Sequence, residues 1–239
     1  MDPIALAHAD LDFNAPLSTA RAAELVASLE PAPGAEAVDL GCGWGELLLQ
    51  LLAAYPRVRG VGVDLDAAEL DRGRRNAEAR GLADRVRFVM ADAARWSGAA
   101  EAVIAVGSSH AWDGADRALS ALRGLLRPGG RVLFGEGFRE GPLPQHFDVP
   151  LSLAELVELA ERRGFRVLKL STANSDEWDD FESRWCGALE KWLLANPDAP
   201  ERCEVRELVD EHRSTWLREV RGALGFAYLV LARESGSSA

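Results

Sequence analysis

Long apolar runs are absent from this sequence, since no stretch approaches the roughly 20 apolar residues that a transmembrane helix needs. The opening MDPIALAHADLDF contains three aspartates and neither lysine nor arginine. A secretory signal begins with a positively charged region, so we expect no signal peptide here. These absences favour a cytoplasmic protein without membrane partners.

Cysteine is scarce as well. Cys42, Cys186 and Cys203 are odd in number and lack metal-ligand spacing, which is typical of a reduced cytosolic protein. The sequence contains no HExxH motif and no Ser-Asp-His order around a nucleophile elbow. We therefore predict neither a metal site nor a hydrolytic triad.

Positive charge is outnumbered. Lysine and arginine total 27 against 38 aspartates and glutamates, for a net charge of -11. Such a surface repels phosphate backbones and anionic lipid, so nucleic acid and membranes are not expected as partners. The 48% of hydrophobic residues is an ordinary globular proportion.

Alternating strand and helix patterns predict an α/β domain with a mostly parallel sheet covered by helices on both faces. Seven buried strands are predicted, at 37–40, 58–64, 86–90, 102–106, 131–135, 165–171 and 226–232. We expect one domain over residues 1–234, with an N-terminal helical segment at 1–30 and a disordered tail at 235–239. Two amphipathic helices form an insertion at 175–224 before the last strand, interpreted as a covering layer, a substrate lid or a homodimer surface.

The most informative motif is Val38-Asp-Leu-Gly-Cys-Gly-Trp-Gly-Glu46, between the first strand and the first long helix. Glycine permits tight turns and close approach of a ligand to the main chain. Asp64 ends the second strand roughly 20 residues later, a spacing typical of a carboxylate that binds ribose hydroxyls. The glycines follow GxGxG, because Glu46 stands where the dinucleotide pattern GxGxxG requires glycine. A nucleoside site other than a dinucleotide site is indicated.

Four segments in order resemble the class I S-adenosylmethionine-dependent methyltransferases: "VDLGCGWGE", "GVDLD", "ADAARW" and "LRPGGRVLFGEGF". "NAPLS", "GSSHAW" and the late tryptophan-rich helices are similar to a bacterial small-molecule group in that superfamily. The resemblance implies a Rossmann-like seven-stranded sheet with an antiparallel last strand. It also implies S-adenosylmethionine as cofactor, S-adenosylhomocysteine as product and a small-molecule methyl acceptor.

The resemblance assigns cofactor contacts residue by residue. The implied cofactor-binding residues are Asp39, Gly41, Gly43, Gly45, Asp64, Leu65, Asp92, Ala93 and Gly107. Three of these carry a structural alternative: Asp39 as an acid that binds nearby backbone, Asp64 as a helix cap and Asp92 as a turn residue.

Candidates for the chemistry follow the fourth and fifth strands, whose carboxyl ends meet at one sheet edge. His110 and Glu136 are candidate catalytic bases, with the alternative that His110 only hydrogen-bonds loop or substrate. Candidate acceptor contacts are Ser108, Ser109, Trp112, His146 and Trp178. A protein methyltransferase and a nicotinamide-dependent oxidoreductase remain the alternative functions.

Overall fold

A single mixed sheet organises the computed structural model, which describes residues 2–144, 146–147 and 149–233. Its strands are β1 (Glu36–Leu40), β2 (Arg59–Asp64), β3 (Val86–Met90), β4 (Ala100–Val106), β5 (Leu126–Arg139), β6 (Phe165–Thr172) and β7 (Leu224–Arg233). The spatial order is β3-β2-β1-β4-β5-β7-β6. β7 runs antiparallel to both β5 and β6, whereas β1 to β5 pair in parallel. The predicted Rossmann-like methyltransferase sheet is confirmed.

Eight α-helices connect or cover these strands within the described residues. They are α1 (Pro3–Ala7), α2 (Thr19–Ala27), α3 (Glu46–Ala54), α4 (Ala67–Ala79), α5 (Ala115–Leu125), α6 (Leu153–Arg162), α7 (Ser175–Ala195) and α8 (Arg202–Thr215). A π-helical turn, Trp216–Val220, continues α8 toward β7. None of the described helices is both long enough and apolar enough to cross a bilayer.

Local caps explain where several helices begin. Ser152 and Glu155 form the predicted reciprocal capping box at the start of α6. The Asp66 carboxylate accepts from the N–H groups of Ala68 and Glu69 and so begins α4. These bonds satisfy backbone donors that have no partner inside the helix.

Two elements differ most from the sequence-based expectations, and the other strand boundaries agree within two residues. α1 was not located, because it has only five residues and its signals are a single cap, Asp2, and Pro3 at the first helical position. β5 begins at Leu126 and not at 131, since Leu126 pairs with Ala100 before the register shifts at the Pro-Gly-Gly turn. The predicted tail at 235–239 lies outside the described residues.

Apolar side chains form three separate clusters. Two lie on opposite faces of the sheet, one packed against α2, α3 and α4 and the other against α5 and α6. The third joins the N-terminal segment to the insertion, and its buried members are Ala7, Leu11, Trp44, Trp185, Cys186, Leu189, Leu193, Val205 and Val209. α7 and α8 therefore bury their apolar faces against each other and against α1, beside the sheet edge where the strands end.

Candidate active site

A cavity of about 710 Å³ opens at the carboxyl ends of β1, β2, β3 and β4. β1 and β4 are neighbours, yet the chain leaves β1 toward β2 on one side and returns through β4 on the other. In open α/β sheets such a point of reversal is where the loops separate and leave a crevice for ligands. The cavity volume falls in the ordinary range for small-molecule sites.

The glycine motif forms the cavity floor, and its three glycines have different reasons for being glycine. Gly41, Gly43 and Gly45 all have positive φ, at 72°, 52° and 70°. A Cβ on Gly41 would collide with Ser108, and one on Gly45 would lie 2.6 Å from Phe88 Cε1. Nothing lies within 4 Å of a Cβ built on Gly43, which borders open cavity. Gly45 caps α3 and does not line the cavity.

Asp64 fastens this loop to the end of β2. Its Oδ2 accepts from the Gly43 N–H at 2.8 Å, and its Oδ1 accepts from the Asp66 N–H at 3.0 Å. Each carboxylate oxygen has a second lone pair, so Asp64 can still accept from a ligand. The next residue, Leu65, is 69% exposed on the cavity wall, an unusual position for a large apolar side chain.

Asp39 lies beneath the loop on β1 and is only 4% exposed. Burial, reinforced by the negative charge of Asp64, raises the pKa of Asp39 to about 8, with partial opposition from a Leu48 backbone hydrogen bond. Asp39 therefore carries a proton at neutral pH in the absence of a nearby cation.

Asp92 and Ala93 border the cavity where β3 ends. Asp92 Oδ1 caps a short 3-10 turn by accepting from the Ala94 N–H at 2.9 Å, and Arg95 Nε lies 3.3 Å from Oδ2. The turn role considered for Asp92 is thus present, alongside its place on the cavity wall. Ala93 is buried.

The end of β4 supplies the facing wall through Gly107, Ser108 and His110. Gly107 has φ 69°, and a Cβ built on it would lie 3.9 Å from Phe226 Cζ, the nearest atom. Ser108 is buried, and its Oγ has no hydrogen-bond partner among the described residues. His110 is exposed at this wall.

Glu136 lies on β5, near enough to His110 to sense its charge. Burial raises the pKa of Glu136, against the opposing effects of hydrogen bonds from Ser109 and Gly137 and of the nearby His110. Its Oε2 is buried without a hydrogen-bond partner among the described residues. Neither Glu136 nor Ser109 lines the cavity.

Three candidate acceptor contacts are elsewhere. Trp112 packs in the apolar cluster beside α5, which is the core position considered as its alternative. His146 is exposed, with Nε2 3.5 Å from a carboxylate oxygen of Glu219. Trp178 stacks on Trp216 with ring centroids 5.1 Å apart. None of these three tryptophan and histidine side chains lines the cavity among the described residues.

The N-terminal segment forms a wall that the sequence patterns did not reveal. Its cavity-lining residues include Ile4, Ala5, His8, Phe13, Asn14 and Leu17. Arg72 donates to the carbonyls of His8 and Leu11 at 2.9 and 2.7 Å. Trp44 Nε1 donates to the Asp12 carbonyl at 2.8 Å. The short "NAPLS" resemblance was the one signal for this wall.

The cavity lining is acidic. It contains seven carboxylic side chains, Asp2, Asp39, Glu46, Asp64, Asp66, Glu69 and Asp92. Among the described lining residues there is no lysine or arginine, and the only imidazoles are His8 and His110. Glu69 Oε2 is buried without a hydrogen-bond partner in the described part of the chain. The site is therefore suited to ligands that bring positive charge or hydrogen-bond donors.

Comparisons with known proteins agree with this geometry. Residues 37–130 match the family described as a methyltransferase domain. The Escherichia coli (strain K12) protein YjhP is 28% identical over 228 residues, covering 90% of this chain and 92% of YjhP. A demethylmenaquinone methyltransferase of Thermus thermophilus is 42% identical over 127 residues, covering 52% of this chain and 56% of that protein.

A solved structure extends the comparison to nearly the whole chain. It is a SAM-dependent methyltransferase from Geobacter sulfurreducens in complex with S-adenosyl-L-homocysteine. The TM-score is 0.87 at 27% identity, and the superposition covers 97% of this chain and 98% of that one. With its sheet order, glycine loop and matched domain, the chain belongs to the S-adenosylmethionine-dependent methyltransferases of the class I fold.

Proposed function

We propose that this methyltransferase acts on a small, neutral or cationic acceptor. The observation that carries the proposal is the acidic cavity of about 710 Å³, which has a glycine floor on one side and the N-terminal segment on the other. A cavity of this size accommodates a cofactor and a small acceptor, whereas a folded protein surface could not enter it.

The residues present fit the cofactor. Gly43 leaves open space where a side chain would intrude, and Asp64 retains acceptor capacity for two ribose hydroxyls. Leu65 offers an exposed apolar face to a purine, and Asp92 lies at the wall where an adenine amino group would donate. Gly41, Ala93 and Gly107 complete the proposed contacts, while Gly45 acts by shaping the start of α3.

When bound, S-adenosylmethionine supplies a methyl group on a cationic sulfur. The protein then has to orient the acceptor and exclude water, tasks that can contribute several kcal/mol of barrier reduction. The N-terminal segment forms one wall of the cavity, and the carboxyl groups of Asp39 and Asp64 lie at its floor. The Ser108 hydroxyl is available there to donate to or accept from a ligand.

The charge of the cavity supports the acceptor class. Carboxylate and phosphate groups are bound in proteins chiefly by arginine and lysine, which the described lining lacks. The six acidic side chains of the lining other than the protonated Asp39 would also repel an anion.

We assign His110 to proton removal from acceptors that arrive protonated, with Glu136 as a positioning residue. His110 is the one imidazole on the β4 wall of the cavity, and the buried Glu136 carboxyl lies near it. Imidazole titrates near neutral pH, as a general base requires. Ser109 contributes indirectly by hydrogen bonding to Glu136.

A methyl-incorporation assay with His110→Asn tests this assignment. Wild-type protein with isotopically labelled S-adenosylmethionine should label metabolites in the neutral or cationic fractions of a charge-separated pool. His110→Asn should lower turnover by about 10²-fold or more while S-adenosylhomocysteine affinity, measured by calorimetry, changes less than about twofold.

Other outcomes separate the parts of the proposal. Label confined to anionic metabolites would refute the acceptor class, and label confined to protein would refute a small-molecule acceptor. Undiminished turnover of His110→Asn would remove the proton-transfer role alone. Binding of a nicotinamide dinucleotide without S-adenosylmethionine would contradict the function itself.

A further inference from the structure

A cluster of three chemically reactive side chains lies in the insertion, outside the methyltransferase cavity. Glu182 and Cys186 are one turn apart on α7, and His212 faces them from α8. One ligand atom from each lies within 4.8 Å of the other two. None of the three lines the cavity or has a part in the proposed methyl transfer.

We propose that Glu182, Cys186 and His212 bind a divalent transition-metal ion of the zinc class. A thiolate, an imidazole and a carboxylate are all established zinc donors in proteins. Their combination of soft sulfur with nitrogen distinguishes the site from those for calcium or magnesium, which take oxygen donors.

Burial is the first argument for a ligand. Glu182 is 8% exposed and Cys186 is 7% exposed, and both border the apolar cluster that joins α7, α8 and α1. Carboxylates are almost never buried in such surroundings unless they are paired or bind a metal. Within the described part of the chain, the Glu182 carboxylate hydrogen-bonds to His212 Nε2 at 2.7 Å and makes no other hydrogen bond.

The geometry requires only a small adjustment. Metal–ligand bonds of about 2.0–2.3 Å in a tetrahedral site separate neighbouring ligand atoms by about 3.3–3.6 Å. The three ligand atoms now lie within 4.8 Å of one another, so shifts of about an ångström would bring them to that separation. The distance from Glu182 Oε2 to His212 Nε2 would increase by roughly half an ångström from its present 2.7 Å. A water molecule can take the fourth coordination position of the ion, because the His212 side chain is partly exposed to solvent.

Charge and orientation fit as well. One carboxylate and one thiolate neutralise a divalent cation, and the proton of the Cys186 thiol passes to solvent as the sulfur–metal bond forms. The neighbouring Arg213 is paired with Glu190 at 2.7 Å, so its charge is compensated. Trp185 stacks on the His212 ring with centroids 3.8 Å apart and fixes the ring orientation. The ion would then connect the two helices of the insertion.

The pattern was missed in the sequence because the ligands come from two helices. Glu182 and Cys186 have helical i, i+4 spacing, whereas His212 is separated from them by the connection between α7 and α8. Only the packing of α7 on α8 brings the imidazole to the other two groups.

Cobalt substitution of the full-length, metal-stripped protein tests the site. Titration with Co²⁺ should produce a thiolate-to-cobalt charge-transfer absorption that saturates at one ion per chain, and Zn²⁺ should displace it. Cys186→Ser should abolish this absorption. Cys203→Ser, which alters the exposed cysteine on the same pair of helices, is the matched control and should leave it unchanged.

A second measurement tests the site even if the Cys186→Ser variant does not fold. Zinc should raise the Tm of wild-type protein, and a chelator should reverse the shift. Glu182→Gln, which retains hydrogen-bonding capacity toward His212, should weaken zinc binding by about tenfold or more. Absence of stoichiometric metal binding, or a charge-transfer band that disappears in Cys203→Ser and persists in Cys186→Ser, would overturn the proposal.

Discussion

Two buried carboxyl groups have pKa values that are shifted in opposite directions. One lies at the cofactor end of the sheet and the other at the insertion. Asp39 on β1 is 4% exposed, and Glu177 at the start of α7 is 7% exposed. Burial and the charge of Asp64 raise the pKa of Asp39 to about 8. Burial also disfavours ionisation of Glu177, but hydrogen bonds from Arg21, Ser18 and Asn174 outweigh it and lower its pKa.

The difference lies in the number of donors around each group. Glu177 Oε1 accepts from the Ser18 hydroxyl at 2.6 Å, the Ser18 N–H at 3.1 Å and Arg21 Nε at 2.8 Å. Its Oε2 accepts from Arg21 Nε at 3.0 Å and from the Asn174 N–H at 3.1 Å. These bonds join the start of α2 to the start of α7. Asp39 instead has another carboxylate as its electrostatic neighbour.

The comparison separates a structural junction from a ligand site. At the α2–α7 junction the protein satisfies the buried charge with its own donors. At the cavity, Ser108 Oγ and Glu69 Oε2 are left without hydrogen-bond partners among the described residues, and Asp39 lies near the charge of Asp64. Unmet polar groups are costly and concentrate where a ligand completes them. The cavity is thus arranged to gain its missing interactions from a cationic, hydrogen-bonding ligand.

The largest expected effect is at the floor of the cavity. Gly41→Ala introduces a side chain at φ 72° and against Ser108, so both backbone strain and collision must be relieved by moving the loop. We expect S-adenosylhomocysteine affinity to fall by about 100-fold, or about 2.7 kcal/mol, in calorimetric titration. Gly124→Ala is the control, because Gly124 is exposed on α5 and nothing lies within 4 Å of a Cβ built there. Equal S-adenosylhomocysteine affinities of Gly41→Ala and Gly124→Ala would contradict the interpretation of the cavity as the ligand site.

Asp39→Asn tests the carboxyl group whose pKa is raised. Between the unfolded carboxyl pKa of about 3.9 and the native value of about 8, the unfolded chain releases this proton while the native protein retains it. Stability from this group is therefore complete at acid pH and is lost as the pH rises. In urea unfolding, the stability advantage of Asp39→Asn over wild type should therefore grow by about 2.5 kcal/mol between pH 5.5 and pH 7.5. The exposed Asp198→Asn is the control, and a pH-independent difference for Asp39→Asn would count against the raised pKa.

Glu177→Gln is expected to have the smallest effect and the opposite dependence on pH. The lowered pKa means that its stabilisation is present above the unfolded carboxyl pKa and is lost as the pH falls. We expect a loss of about 1–2 kcal/mol in urea unfolding at neutral pH, since hydrogen bonds to a charged group weaken when it becomes neutral. The loss should shrink toward acid pH. A loss that grows on acidification would mean that the two carboxyl groups do not differ as described.

Local patterns were sufficient for the sheet and for much of the cofactor end. All seven strands were located, since short apolar runs bounded by turn residues mark strands of a largely buried sheet. Gly41, Gly43, Asp64, Asp92 and Gly107 border the cavity because each ends a strand or lies within three residues of a strand's end, and those strand ends meet at one edge. The order of motifs along the chain carried this information.

Long-range contacts decided the rest. Nothing in the local pattern of Ile4 or Phe13 shows that they line the cavity, because Arg72 and Trp44 determine the course of that segment. Trp112 fits a stacking role or the core equally well by sequence, and packing beside α5 decided for the core. The sequence by itself determined the sheet, the glycine loop and the methyltransferase family. Only the tertiary structure decided which side chains reach the cavity, how Asp39 and Glu177 ionise, and that Glu182, Cys186 and His212 meet, because burial, charge proximity and side-chain convergence depend on segments far apart in the chain.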